Sequence, residues 1–187
     1  MRIGDELHFS PKYRFSELNW DDRTGVIEAF RDRVEGFYLC PAQKLNRDKD
    51  GFAAGLLCVA AIDFLARISL DANGVKDRIV KWLRTNIIRF EYSDLADRFY
   101  EEFRNGLVHE GRIKNAGQFS YEYHKVISMV DDTMLVNPDL LLNAVMDSFQ
   151  SYLKKLRTDD LIYHALRSAL LSDFQREVEL AGHSPDL

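Results

Sequence analysis

The chain has 187 residues, 46% of them hydrophobic and 29% charged, enough to bury one good core, and the length favours a single domain. The formal net charge of -5 excludes the basic footprint of a nucleic-acid coat protein, so any RNA contact has to be local. The longest apolar stretch, within GFAAGLLCVAAI at residues 51–62, is broken by Asp63 and Arg67 and falls short of the ~20 residues of a membrane-spanning helix, so a core helix of a soluble protein is expected there.

The N-terminal MRIGDELHFSPKY has no apolar signal core after its arginine, and the expected location is the cytoplasm. Asp21 and Asp22 are placed to cap a first helix through Val26, Ile27, Phe30, Val34 and Phe37, ending near Pro41. QKLNRDKD, residues 43–50, reads as a polar linker. Asp50 then opens a second helix, GFAAGLLCVAAIDFLARISL, whose small residues permit close helix packing, and DANG ends it with turn chemistry. A third helix is expected from about Val75 to Arg89. It carries Lys76, Arg78, Lys81, Arg84 and Arg89 around Trp82, and both a local RNA contact and a plainly solvated face fit that basic run. Ser93 caps a fourth helix, with Asp94 in its first turn and Gly111 as its natural stop.

Between Gln118 and Val136 the period changes to two, with Phe119, Tyr121 and Tyr123 on one side and Ser120, Glu122 and His124 on the other. A small β-hairpin is expected about Asp131 and Asp132. FSYEYHK fits either a platform on which unpaired bases stack, with Lys125 and Arg112 on the backbone, or a set of three aromatics packed onto the bundle. Asn137 caps a helix with Pro138 at its first position and an inner face of Leu140, Leu141, Val145, Phe149, Tyr152, Leu153 and Leu156. RTDD breaks that helix and caps a last one through Leu161, Ala165, Leu166, Ala169, Leu170 and Phe174. The pattern is that of a mainly α protein: a helical bundle with a small β-hairpin insertion, one domain over residues 1–180 and a disordered tail at 181–187. Cys40 and Cys58 have neither CxxC spacing nor a histidine cluster beside them, so two buried reduced thiols are expected and no zinc site.

The residues with most chemistry close the fourth helix, in RNGLVHEGR at 104–112. On an ideal α-helix Leu95, Ala96, Phe99, Tyr100, Phe103 and Leu107 fill an arc of ~140°. Arg104 falls just beyond one edge, while Asn105 and His109 sit together near the other, with His109 ~140° from Arg104. One such helix hardly converges these side chains on a single phosphate. Two meeting about a two-fold axis can, so a homodimer with a composite site is expected. The chemistry needs no metal and no cofactor: a histidine moves a proton near neutral pH, an arginine clamps a phosphate and stabilises its growing charge, and Asn105 orients either. Applied to RNA, the ribose 2'-hydroxyl is the internal nucleophile and leaves a 2',3'-cyclic phosphate and a 5'-hydroxyl end. Because Arg104 and His109 lie outside the apolar arc, replacing either is expected to leave stability nearly unchanged. The spelling alone is a weak pattern: Arg157 and His164 also fit it, although RTDDLIYH crosses a helix end. The plainer reading of Arg104, Asn105 and His109 is the polar rim of a helix whose C-terminus favours positive groups.

With those three residues in that order the chain resembles the HEPN superfamily, the higher eukaryotes and prokaryotes nucleotide-binding domains. These are helical bundles whose motif is an arginine, a polar residue, three to five more residues and a histidine. The resemblance covers roughly residues 22 to 157, through AGLLCVAAIDFLARI before the motif and NPDLLLNAVMDSFQSYLKKL after it. It implies a metal-independent endoribonuclease that works as a dimer in a toxin–antitoxin, abortive-infection or antiviral defence system. Arg104, Asn105 and His109 would be its catalytic residues, RNA its substrate, and an antitoxin or regulatory protein a further partner. The resemblance equally covers members that have lost catalysis and serve as dimerisation or partner-binding modules. The subgroup paired with nucleotidyltransferase antitoxins carries a tyrosine two residues after the histidine, where this chain has Gly111.

Among the neighbours, Asp63 is a possible partner for Arg104, but Arg67, four residues on and in the favourable acid-before-base order, is the simpler one. Glu101 and Glu102 read as a solvated acidic face. Asp97, Glu101 and His109 make no convincing ligand set, so no metal is expected. His8, His124 and His183 receive no role.

Overall fold

The computed structural model describes residues 1–3, 6–70, 74–90 and 94–182. A short antiparallel pair, β1 (Arg2–Ile3) and β2 (Glu6–Leu7), precedes α1 (Arg23–Val34), α2 (Cys40–Arg47), α3 (Gly51–Ser69), α4 (Val75–Asn86) and α5 (Leu95–Phe99). Then come β3 (Gln118–Phe119), β4 (Ile127–Val130), β5 (Thr133–Val136), α6 (Pro138–Thr158), α7 (Asp160–Asp173) and α8 (Gln175–Leu180). The fold is mainly α with a small three-stranded sheet, as expected. Two compact units form: Met1–Phe37 with Gln150–Leu187, and Tyr38–Phe149. The expected terminator DANG (but for Gly74), the cap Ser93, and residues 183–187 of the tail lie outside the described residues.

In the first unit α1 buries Val26, Ile27, Phe30 and Val34, the apolar positions of its 3–4 repeat. Phe9 meets Phe15, Trp20 and Phe174 edge to face, and the Arg33 guanidinium lies 4.5 Å over the Phe174 ring. Asp159 accepts a hydrogen bond from the Ile162 N–H and so caps α7, as RTDD predicts. That helix is not the last: Phe174 leaves α-helical geometry, and its ring is drawn among Phe9 and Phe15 while α8 starts beyond it. Helix α1 also fails to end near Pro41. The chain runs through a π-helical stretch, Glu35–Leu39, into α2, where Pro41 lies in the first turn and its missing N–H costs nothing. The expected linker over residues 43–50 therefore shrinks to 48–50.

In the second unit α3 buries Ala54, Cys58, Ala61, Ile62, Leu65 and Ala66. By length and composition α3 is apolar enough to cross a membrane, and half of that apolar stretch is buried. One of its small residues, Gly55, admits an aromatic ring: a Cβ there would lie 2.2 Å from Cζ of Phe119. Helix α4 stops at Asn86, three residues before the expected Arg89, where extended Ile87 leads into the tight turn Ile88–Phe90. Asp94 occupies the cap position of α5. Asn137 caps α6 as predicted, its Oδ1 accepting from the N–H groups of Asp139 and Leu140 at 3.0 and 3.1 Å.

The β4–β5 hairpin turns at Asp131 and Asp132, where Asp131 takes φ +51°. The period-two run before it is a strand only at β3, which pairs parallel with β5. Past Phe119, polar side chains compete with the ladder: Ser120 Oγ accepts from the Glu122 N–H, and Asn137 Nδ2 donates to the Tyr123 carbonyl at 2.7 Å. Phe119 packs edge-on to Phe103, and Tyr121 donates its hydroxyl to Asn46 beneath Lys49. Those two rings are taken up by packing and not by a stacking platform.

Candidate active site

The helix that carries the motif is α only as far as α5. From Tyr100 to Glu110 it is π-helical, and Gly111 ends it in the left-handed conformation at φ +67°. A π-ladder closes on the fifth residue, so residues i and i+5 come nearly into line, where an α-helix would turn them far apart. Arg104 and His109 are such a pair. Arg104 Nη1 lies 3.0 Å from His109 Nε2, which overturns the expectation that the two cannot share a face. Sequence reasoning went wrong there because it assumed 100° per residue, and no residue type in RNGLVHEGR announces a π-register.

What holds the π-stretch is the chain that follows. The N–H groups of Gly111 and Arg112 both donate to the Gly106 carbonyl, and the Lys114 N–H donates to the Glu102 carbonyl at 3.0 Å. This return packs so closely that a Cβ on Gly106 would lie 2.3 Å from the Arg112 carbonyl oxygen.

The other edge of the Arg104 guanidinium is held by α3: Nε and Nη2 donate to Asp63 Oδ2 at 3.0 and 2.8 Å. Asp63 thus takes the partner that sequence reasoning ranked below Arg67, because α3 faces the π-stretch and the two side chains meet across it. The ion pair is partly shielded, with side-chain exposures of 14% for Arg104 and 30% for Asp63. The third residue, Asn105, places Oδ1 3.4 Å from Arg104 Nη1 and donates through Nδ2 to Glu101 Oε2 at 3.0 Å. Glu101 in turn accepts from Lys76 Nζ at 3.1 Å, and this hydrogen bond foremost, opposed by modest desolvation, holds its carboxyl below the usual value. The Tyr100 ring lies between the two cations, 5.9 Å from Lys76 Nζ and 5.8 Å from Arg104 Cζ.

The solvated acidic face expected at Glu101 and Glu102 is half right. Glu101 is exposed, whereas Glu102 is only 2% exposed, ion-paired at Oε1 with Arg98 at 2.9 Å. Arg98 also binds the side chain and carbonyl of Asp132, pinning the hairpin turn alongside the motif helix. The basic run on α4 offers no ring for stacking, since Trp82 is buried, and its Lys76 and Arg84 are paired with Asp97. Among the described residues no group of three or more His, Cys, Asp or Glu side chains is placed to hold a metal ion. Both cysteines are free. Cys58 is buried, which pushes its thiol up to about 12, but Cys40 is exposed, because the π-turn carries α2 on past the expected helix end. The decoy pair separates as expected, Arg157 on α6 and His164 on α7.

No family model, no curated protein and no solved structure matches this chain. What the arrangement can do follows from its own atoms. Arginine has no acceptor, so a hydrogen bond across the 3.0 Å contact has Nη1 donating and Nε2 of His109 accepting. A cation fixed on one edge by a carboxylate thus points its other edge at an imidazole, on an exposed rim.

Proposed function

We propose that the protein is a metal-independent endoribonuclease of the HEPN type, with Arg104, Asn105 and His109 at its catalytic centre and Asp63 as a positioning residue. The observation that carries this reading is the 3.0 Å contact between Arg104 Nη1 and His109 Nε2, with Asp63 locking the far edge of the guanidinium. A phosphodiester oxygen that takes over the Nη1 hydrogen bond frees the Nε2 lone pair beside the scissile phosphate. His109 then removes the proton of the ribose 2'-hydroxyl, O2' attacks phosphorus, the bond from phosphorus to O5' breaks, and O5' takes a proton from water. The products are a 2',3'-cyclic phosphate and a 5'-hydroxyl end. Arg104 stabilises the charge that grows on the phosphoryl oxygens, and Asp63 spares it reorganisation.

The resemblance adds a homodimer, a toxin–antitoxin or antiviral defence setting, and an antitoxin or regulatory protein as partner, and the N-terminal sequence adds a cytoplasmic location. Within this reading a second copy is not needed to bring Arg104 to His109, so dimerisation serves to extend the RNA-binding surface. One observation favours a second reading, a non-catalytic dimerisation or partner-binding module: the polar groups of Arg104 and Asn105 already have partners within the chain, as a structural rivet would.

End-labelled single-stranded RNA separates the two. Cleavage is expected to persist in EDTA, to leave 2',3'-cyclic phosphate ends and to spare DNA. His109→Ala and Arg104→Ala should each lower the rate by ~10²-fold or more, while His164→Ala retains it. A dependence on added magnesium or manganese sinks the acid–base mechanism. Equal degradation by wild type and His109→Ala, or no cleavage by either, hands the site to the module reading.

A further inference from the structure

The unit formed by Tyr38–Phe149 carries a groove of about 320 Å³ lined by Arg89, Leu95, Lys125, Ile127, Ser128 and Met129. Arg89 stands in the turn after α4 and Lys125 just ahead of β4, and both are exposed. Neither has an ion-pair partner among the described residues, whereas the cations around the motif helix, Lys76, Arg84, Arg98, Arg104, Arg112 and Lys114, are matched with carboxylates. Two unneutralised cations therefore share one groove in a protein whose net charge is -5.

Apart from Ser128, the rest of the lining is apolar. Met129 is 39% exposed, a thioether surface that adapts to a planar ring, and Ile127 is buried beneath the groove. Ser128 adds a hydroxyl that both donates and accepts. The pinning of the hairpin turn by Arg98 keeps β4 in place along the motif helix. A guanidinium and an ammonium beside an apolar patch match a nucleotide unit of a single strand, phosphate on the cations and base on the patch.

We infer that this groove is a subsite for single-stranded RNA, which holds a backbone phosphate on Arg89 and Lys125 and a base on Met129, a few nucleotides from the bond cut at His109. Leu95 in the groove opens the helix that carries Arg104 nine residues on, at most roughly 13 Å along the axis, since the π-helical part rises less per residue than an α-helix. A strand of a few nucleotides is long enough to span that separation. The choice of RNA as ligand rests on the ribonuclease reading above.

The test separates the two ideas. In a His109→Ala background, binding of a fluorescein-labelled single-stranded RNA long enough to span both sites is read by anisotropy across a salt series, with thermal melting as the check on folding. The Arg89→Gln/Lys125→Gln double variant should bind at least ~10-fold more weakly, with the slope of log affinity against log salt flattened by about 0.7, as loss of about one phosphate contact from a single strand requires. Met129→Ala should weaken binding without changing that slope. With His109 restored, the double variant raises KM for the long RNA more than KM for a dinucleotide too short to reach the groove. A folded double variant with unchanged affinity and slope overturns the subsite, and if it still cleaves RNA the ribonuclease reading stands without it. Groove-dependent binding with no cleavage under any condition keeps the subsite and removes the ribonuclease. Failure of the protein to bind RNA at all overturns the subsite as well.

Discussion

Arg104 and His109 touch each other but differ in what surrounds them, and that difference is measurable. Arg104 is mostly shielded and makes two charge-assisted hydrogen bonds to Asp63, whereas His109 is exposed. Arg104→Ala leaves the Asp63 carboxylate half-shielded without that partner, at an expected cost of about 1–2 kcal/mol after allowance for solvent screening. His109→Ala should shift stability by about 0.5 kcal/mol or less. Urea unfolding of the two variants checks this, and equal midpoints would show that the ion pair adds nothing. The ion pair with Asp63 revises the expectation of a neutral change for Arg104 alone. Its side chain does lie off the apolar arc, but distance from the core stripe does not reveal an acid on another helix. The residues of the trio were legible from their spelling, since arginine, asparagine and histidine carry their chemistry in their identity. Asp63 as their anchor was not, because a local partner four residues away is the cheaper guess until the facing of two helices is known.

At the scale of elements, the register of one helix decides the site. An α-ladder through residues 100–110 would turn Arg104 and His109 ~140° apart, while the π-ladder lines them up. The return of the chain at Arg112 and Lys114 is part of that register, and Gly106 is where the two press together. Gly106→Ala sets a methyl group 2.3 Å from the Arg112 carbonyl, too close for either to stay. The expected result is a loss of about 1–3 kcal/mol in stability. Any RNA cleavage should fall further than stability does, because the contact between Arg104 and His109 depends on the register. A variant that folds and cleaves like wild type would show that the return loop does not set the ladder. Other elements were easier to see. Asn137 before Pro138, and Asp159 within RTDD, cap helices as the sequence indicates, because a cap is a bond between a side chain and the N–H groups two or three residues on.

For the whole molecule, the pairing of Arg104 with His109 inside one chain changes what a dimer is for. The homodimer remains the expected state from the resemblance, and light scattering at micromolar concentration should report twice the chain mass. A monomer that still cleaves RNA would remove the two-copy site and leave the chemistry of a single chain intact. Charge acts at this scale too. Most of the strong cations around the motif helix are matched with acids, which fits a net charge of -5 and confines any RNA contact to short stretches such as the Arg89–Lys125 groove.

The sequence by itself determined the mainly α class, the position of α3 and α6, the hairpin turn at Asp131 and Asp132, and the identity of the candidate trio. Those follow from periodicity, turn chemistry and capping, which act between residues a few positions apart. Tertiary structure alone decided the π-register, the pairing of Asp63 with Arg104, the burial of Glu102, and the parallel partner of β3. Each of these depends on which surfaces of distant segments face each other, and packing between them outweighs the local preferences that a sequence displays.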